Sequence, residues 1–293
     1  MEQKQQIKKS ASDSGLSLWK DAWRRLLKNK MAVFSMIVLG IMVAMCVLAP
    51  YISSHDFDAI DYSAIQKEPS SEHILGTDDI GRDMFTRILY GGRISLKIAI
   101  MCTFISLSIG ITFGAIAAYA GGRVDNIMMR FVDIMYSLPY MFLVIILMTV
   151  FGKNETILFM AIGAVSWLTM ARIVRGQILS LKAKEFVEAA RSYGASHATI
   201  IFKHLIPNAF GTVIVYTTIT IPRVILVESF LSFLGLGIQE PNPSWGSLCS
   251  HGAKMMEVAP WMIIFPGLAL SITLFCMNFL GDGLRDALDP KMK

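Results

Sequence analysis

Three groups of residues in this chain have types and spacings that could do chemistry. Glu185, Glu188, Ala189, Ala190 and Gly194, with His204 and Pro207 further on, place acidic side chains, small residues and two backbone punctuators in one short stretch. Exposed carboxylates there could take a basic group from a partner. The alanines allow a close backbone approach, and the glycine turns the chain where a Cβ would clash. Glu228 and Arg223 are opposite charges inside an apolar run. A charge at a helix centre in hydrocarbon costs roughly 2.5–3.5 kcal/mol on insertion scales, so each must face protein or water. Their five-residue separation turns about 140° of a regular helix, a poor ion-pair geometry that the adjacent Pro222 could distort. Two readings of Glu228 stand open: a group lining a translocation cavity or its external gate that meets a positive charge, or an interhelical hydrogen bond with a partner subunit that only holds the complex together. Asp78, Asp79 and Asp83 look like calcium ligands, but they lack the oxygen spacing of an EF-hand. A turn closed by an Arg82 ion pair is the expectation there.

What is missing narrows the chemistry. No GxxxxGK[ST] phosphate loop, HExxH, GxSxG or paired-carboxylate constellation occurs. The chain is therefore not expected to be an enzyme: no catalytic or metal-binding residue is assigned, no cofactor is expected on it, and any ATP would be bound by partner subunits. Cys46, Cys102, Cys249 and Cys276 lie far apart, without ligand spacing, and three fall in apolar runs where cysteine acts as a small hydrophobe.

These residues must be positioned by membrane-spanning elements. Only 17% of the 293 residues are charged and 54% are apolar, against about a quarter charged in a soluble domain. The apolar residues gather into six runs: Met31 to Ala49, Ile94 to Tyr119, Ile127 to Phe151, Thr156 to Val174, Thr212 to Leu234 and Trp261 to Leu280. Each is near the roughly 20 residues that cross a hydrocarbon core as helix. Strands are unfavourable because open sheet edges do not survive in lipid. The expected fold class is an all-α polytopic membrane protein with six transmembrane helices. The expected division is a cytoplasmic tail with an interfacial helix (1–30), the first span (31–49), an external loop (50–93) and a five-helix core (94–293) holding a cytoplasmic loop at 175–209.

Lysine and arginine set the expected orientation. With the N-terminus inside, cytoplasmic segments hold 19 of the 27 basic residues and external loops hold six. Both termini are then cytoplasmic, and the basic balance serves orientation rather than nucleic-acid binding. The first run starts after thirty mostly polar residues and ends at Ala49-Pro50 without an A-x-A site, so it reads as a permanent span rather than a cleaved leader. Ahead of it, Trp19, Ala22, Trp23, Leu26 and Leu27 share one face of a helix, with basic residues opposite, which fits the membrane interface; an ordinary basic flank has the same composition. Ser106, Gly110, Gly114 and Ala118 give the second span a small face suited to tight helix packing, with a pore lining as the alternative. Pro139 and Pro222 interrupt the third and fifth runs.

The loop at 175–209 is longer than a connector requires. Gly194 suits a left-handed helix stop, and Ser196 can cap a second short helix that Pro207 ends. Glu188-Ala189-Ala190, Gly194 and Pro207 resemble the EAA signature of permease subunits of ATP-binding-cassette importers; His204 stands where that pattern has isoleucine. The resemblance implies a coupling helix seated in a groove of an ATPase subunit, with Glu185, Glu188, Ala189, Ala190, Gly194, His204 and Pro207 as coupling residues. Three further blocks, His73 to Asp83 with Gly91 to Leu96, Glu228 to Gly237 with Pro243 to Gly246, and Gly281 to Pro290, are similar to the C-type permeases of dipeptide, oligopeptide and nickel importers. Met170 to Gln177 is most similar to the oligopeptide branch. The resemblance covers Leu18 to Pro290 and implies a type I importer permease fold in a bacterial inner membrane. It also implies alternating access and four kinds of partner: a homologous B-type permease, two ATP-binding subunits, an external peptide-binding protein and the lipid bilayer. A secondary transporter would show internal repeats and coupling carboxylates, and a membrane enzyme a reactive cluster; neither pattern is visible.

Overall fold

The computed structural model describes residues 18–288; the basic tail through residue 17 and the closing Asp289-Pro290 lie outside the described residues, as do the side chains of Leu18 and Trp19. Among these residues the longer helices are α1 (Leu18–Lys28), α2 (Lys30–Val47), α3 (Met84–Ala120), α4 (Gly122–Ser137), α5 (Tyr140–Phe151), α6 (Glu155–Lys182), α7 (Glu185–Ser192), α8 (Ile206–Phe233), α9 (Trp245–Lys254) and α10 (Trp261–Leu288). Among the described residues there is no strand, only an isolated bridge between Thr77 and Asp83. Among the same residues five helices are long and apolar enough to cross a membrane, and α4 with α5 makes a sixth if the bent pair is one span.

That bent pair corrects the simple picture of the third run. Leu138-Pro139 breaks it, and α4 and α5 meet at 83°. Proline has no N–H for the helix ladder and disfavours helical backbone in the residue before it. Alone, the 12 residues of α5 rise only about 18 Å, short of the roughly 30 Å core. Pro222, by contrast, sits inside an unbroken α8.

The helices pack through small residues, as the second run suggests. A Cβ on Gly110 would come within 2.6 Å of the Met170 side chain, and one on Gly114 would strike the Ala171 carbonyl. Dispersion at such short range replaces the hydrophobic drive that lipid cannot supply. Around this seam Ile98, Cys102, Leu158, Ile162, Leu168, Val224 and Ile225 form the main core. Helix α1 lies against the end of α10, burying Ala22 and Leu26 near Leu280, Leu284 and Leu288, while Trp23 and Leu27 stay exposed.

The second span begins earlier than hydropathy indicates. Asp83 caps α3 by accepting from the Thr86 N–H at 2.8 Å, so helix starts at Met84, ten residues before Ile94, inside the stretch expected to be external loop. Gly91 and Gly92, which look like breakers, are helix interior. A Cβ at Gly92 would collide with the Trp245 ring, so the two glycines make room for α9. Trp245 is buried and its Nε1–H donates to the Ile88 carbonyl at 3.0 Å.

An ion-pair network closes this end. Arg82 meets Asp78 (2.6 Å) and Glu240 (2.6 Å), while buried Arg87 meets Glu240 at 3.1 Å. The Arg82 pairing expected for the turn is present. Burial opposes the Arg82 charge, but the Glu240 and Asp78 carboxylates more than offset it and raise its pKa above the ordinary arginine value.

Candidate functional site

Two places draw together the residues singled out by type and spacing. The first is the turn at α7. Its helix ends in a complete Schellman motif: the Ala195 N–H donates to the Ala190 carbonyl at 3.0 Å and the Gly194 N–H to the Arg191 carbonyl at 2.9 Å. Gly194 has φ +76°, a conformation that costs a residue with a Cβ. Ser196 then accepts from the Thr199 N–H at 3.2 Å and starts the next helical segment.

That segment is not the short helix stopped by Pro207 that the sequence suggests. From His197 to Phe233 the chain is one continuous helix of 37 residues. Ile200–Leu205 is π-helical, with the Ile206 N–H donating to the Ile201 carbonyl. The wider turn lets Pro207 enter the first turn of α8, where its missing N–H costs little. Asn208 Nδ2 donates to the His204 carbonyl at 2.6 Å, satisfying a backbone acceptor beside the proline.

Burial divides the turn into two faces. Val187, Ile200, Ile201 and Leu205 pack with Val174 and Ile178 of α6 and Ala115 and Ala118 of α3. Glu185, Glu188, Ala189, Gly194 and Pro207 are exposed, and His204 is half-buried. Among the described residues neither glutamate carboxylate has an ion-pair or hydrogen-bond partner; Ser192 Oγ binds the Glu188 backbone carbonyl. Tyr193, 91% exposed, stands at the tip of the turn, an exposure that spacing alone misses. A bulky aromatic directly before a left-handed glycine is the signal that could have found it.

Behind this face, Tyr119 at the end of α3 hydrogen-bonds His197 Nδ1 at 2.8 Å, and the Lys182 ammonium donates to the Tyr119 carbonyl at 2.6 Å. Salt bridges from Arg175 to Asp125 and from Arg172 to Asp133, both 2.6 Å, tie α6 to α4. The turn therefore rests on three helices that run into the body of the protein.

The second place concerns Glu228 and Arg223, which the fold separates. Glu228 is fully buried. It accepts from Ser95 Oγ at 3.1 Å and Ser232 Oγ at 2.7 Å, with Ser229 Oγ at 3.5 Å. Ser95 Oγ in turn accepts from the Trp245 N–H, and Ser232 Oγ from the Ile238 N–H and the Ser244 hydroxyl, each at 3.3 Å. The expectation that Glu228 lines a cavity and meets a positive group is corrected: serine hydroxyls surround it, because its helix face is packed on α3 and on the turn into α9. It is a hub joining three segments.

Arg223 points the other way. It is exposed and lines a cavity of about 460 Å³ with Tyr136, Tyr140, Ser166, Tyr216 and Thr220. The cavity sits at the break between α4 and α5, where α6 and α8 pass.

One further cluster has the composition of a metal site: His55, His73 and Asp83, whose ligand atoms lie within 4.8 Å of one another. Asp83 is already engaged, one oxygen with His73 Nδ1 at 3.0 Å and the other with the Thr86 N–H and hydroxyl. The cluster clamps the loop onto the start of α3.

Residues 110–293 match the model of the family described as binding-protein-dependent transport system inner membrane component. Residues 17–69 match the N-terminal TM domain of oligopeptide transport permease C. The chain is 53% identical over 279 residues to the oligopeptide transport system permease protein OppC of Haemophilus influenzae, covering 94% of this chain and 90% of that one. The OppC protein of Escherichia coli K12 is 50% identical, covering 94% and 92%. The dipeptide transport system permease protein DppC of Bacillus subtilis is 44% identical, covering 97% and 89%. Among solved structures, the inward-facing methionine ABC transporter MetNI has a chain with TM-score 0.56 at 20% identity, covering 70% of this chain and 98% of that one, a likeness of fold.

Proposed function

Because this chain belongs to the family of inner membrane components of binding-protein-dependent transport systems, we propose that it forms half of the translocation pathway of an ATP-driven oligopeptide importer and couples that pathway to ATPase subunits. A homologous second permease completes the pathway, two ATP-binding subunits sit at the α7 end, and an external binding protein delivers peptide at the α9 end. The assembly lies in a bacterial inner membrane with both termini of this chain in the cytoplasm.

One observation carries this reading: α7 offers an exposed face of small and acidic residues on a turn held rigid at its back. Val187, Ile200 and Leu205 anchor the turn, so a push on Ala189 or Glu188 moves α6 and the long helix together rather than deforming a loop. The alanines admit a close groove wall, and the two carboxylates accept basic groups there. ATP shifts the equilibrium between two helix arrangements to the extent that the ATPases bind one of them better.

Reconstitution of the whole importer in liposomes tests this. Glu188→Arg reverses an exposed charge that has no partner among the described residues, so the fold should be kept while peptide-stimulated ATP hydrolysis drops about tenfold or more. Gly194→Pro removes the left-handed turn and the N–H that bonds Arg191, and should abolish stimulation. Full stimulation in both variants would refute the docking assignment.

A further inference from the structure

Arg223 is a guanidinium deep within an apolar helix, and among the described residues no carboxylate pairs with it. Counting back from Phe233, it lies about 15 Å inside the outer end of α8, near the middle of a bilayer roughly 30 Å thick. An ionisable group at that depth marks a site by default.

The lining of its cavity says what kind. The hydroxyls beside Arg223 are turned toward the protein: Ser166 donates to the Ile162 carbonyl at 2.8 Å and Thr220 to the Tyr216 carbonyl at 2.7 Å. The Tyr140 hydroxyl is then left to donate to Ser166, 3.2 Å away. Tyr136 pairs with Thr169 at 2.5 Å. The neighbouring cation Arg172 is neutralised by Asp133. What remains uncompensated in the cavity is one positive fork with five donors and no acceptor.

Its natural ligand is a carboxylate, taken by two parallel N–H···O bonds. Lipid phosphates lie at the membrane surface, out of reach of this depth. Close helix packing uses small residues, as along the α3–α6 seam, whereas three tyrosines line this cavity and hold a helix off. Its volume of about 460 Å³ suits the end of a short chain.

We infer that Arg223, with the tyrosine rim of its cavity, is a subsite in the pathway for the C-terminal carboxylate of the transported peptide. This rests on the oligopeptide reading above. Every unblocked peptide carries that group whatever its side chains, so the site would hold one end of the cargo without selecting its sequence.

The test uses the complete importer, with both permeases, both ATPases and its binding protein, in liposomes. Uptake of a radiolabelled tetrapeptide is compared with uptake of the same peptide as its C-terminal amide. The binding protein is common to all variants, so a change in the acid-to-amide ratio belongs to the permease. Wild type should favour the acid by roughly tenfold, the worth of one charged bidentate contact. Arg223→Gln should bring the ratio near one by slowing the acid alone, and Arg223→Lys should keep most of the preference. An unchanged ratio in Arg223→Gln, or equal uptake of both peptides by wild type, overturns the subsite. Loss of the second permease from purified Arg223→Gln complexes also overturns it, by placing Arg223 in the interface. If wild type moves neither peptide, the oligopeptide reading falls with it; uptake of both without discrimination removes the subsite alone.

Discussion

Glu228 gathers hydroxyl protons from two helices, and those hydroxyls gather backbone N–H groups from the loop beyond. In such a hub the acceptor matters more than the charge. Removing it leaves buried donors unpaired, at about 1–3 kcal/mol for each stranded group. Glu228→Leu should therefore lower the thermal midpoint of the detergent-purified importer by several degrees and reduce the yield of assembled complex. Glu228→Gln keeps one carbonyl acceptor, and the serine hydroxyls can rotate to receive its amide. That variant should stay within about 1 kcal/mol of wild type and transport peptide normally. A Gln variant that assembles fully yet fails to transport would restore a role for the charge and contradict the hub. The residue type alone does not distinguish these cases. Glutamate in an apolar run signals a partner, and only packing shows that the partners are serines at positions 95, 229 and 232.

At the scale of helices, glycine means different things at different places. A Cβ on Gly114 meets the Ala171 backbone, which cannot swing aside, whereas one on Gly40 in α2 meets nothing within 4 Å. Gly114→Val should cost about 1–3 kcal/mol by overpacking and reduce recovery of folded protein after extraction. Gly40→Ala should be neutral or slightly stabilising, since alanine is the better helix former. Equal loss in both would argue against the α3–α6 seam. The four-residue spacing of Ser106, Gly110, Gly114 and Ala118 makes this seam readable from sequence, because helical period and small size suffice to define it. The start of α3 is not readable in that way. Gly91-Gly92 with Arg82, Arg87 and Arg93 has the composition of a loop, and helix forms there because Trp245 fills the gap from more than 150 residues away. Likewise Pro207 reads as a helix stop, while the preceding π-turn absorbs its missing donor. Local patterns survive in the sequence; features that depend on a distant side chain or a changed helical pitch do not. For the candidate site this means that the exposed acidic face of α7 is legible, as is the poor pairing of Arg223 with Glu228, whereas the link from Glu228 to Ser95 on α3 is not.

Across the whole molecule, orientation decides which end meets which partner. Single cysteines in a background without Cys46, Cys102, Cys249 and Cys276 provide the measurement. One at Lys153, in the exposed turn before α6, should react with an impermeant maleimide in intact cells. One at Ser180, near the end of α6, should react only after the membrane is opened. The reverse pattern would invert the positions given to the ATPases and the binding protein. The 37-residue helix from His197 to Phe233 spans about 55 Å, so the α7 turn and the Glu228 hub sit near opposite ends of one rod.

The outer ion-pair network also carries a consequence for how the protein is made. Arg87 and Arg82 emerge from the ribosome 153 and 158 residues before the carboxylate of Glu240 that joins them. At roughly 5–20 residues per second, that gap lasts on the order of ten to thirty seconds. Throughout it the start of α3 holds a guanidinium destined for burial, with half of its counter-charge still unsynthesised, and the Trp245 ring that fills the notch at Gly92 is later still. The outer cap therefore closes only once the chain has reached α9. A nascent chain cut short before Glu240 would display at the membrane surface two cations and an unfilled glycine notch, features that a finished chain conceals. Synthesis past the start of α9 is thereby written into the chemistry of one exposed patch, and a quality-control protease or insertase could read it without sensing the length of the chain.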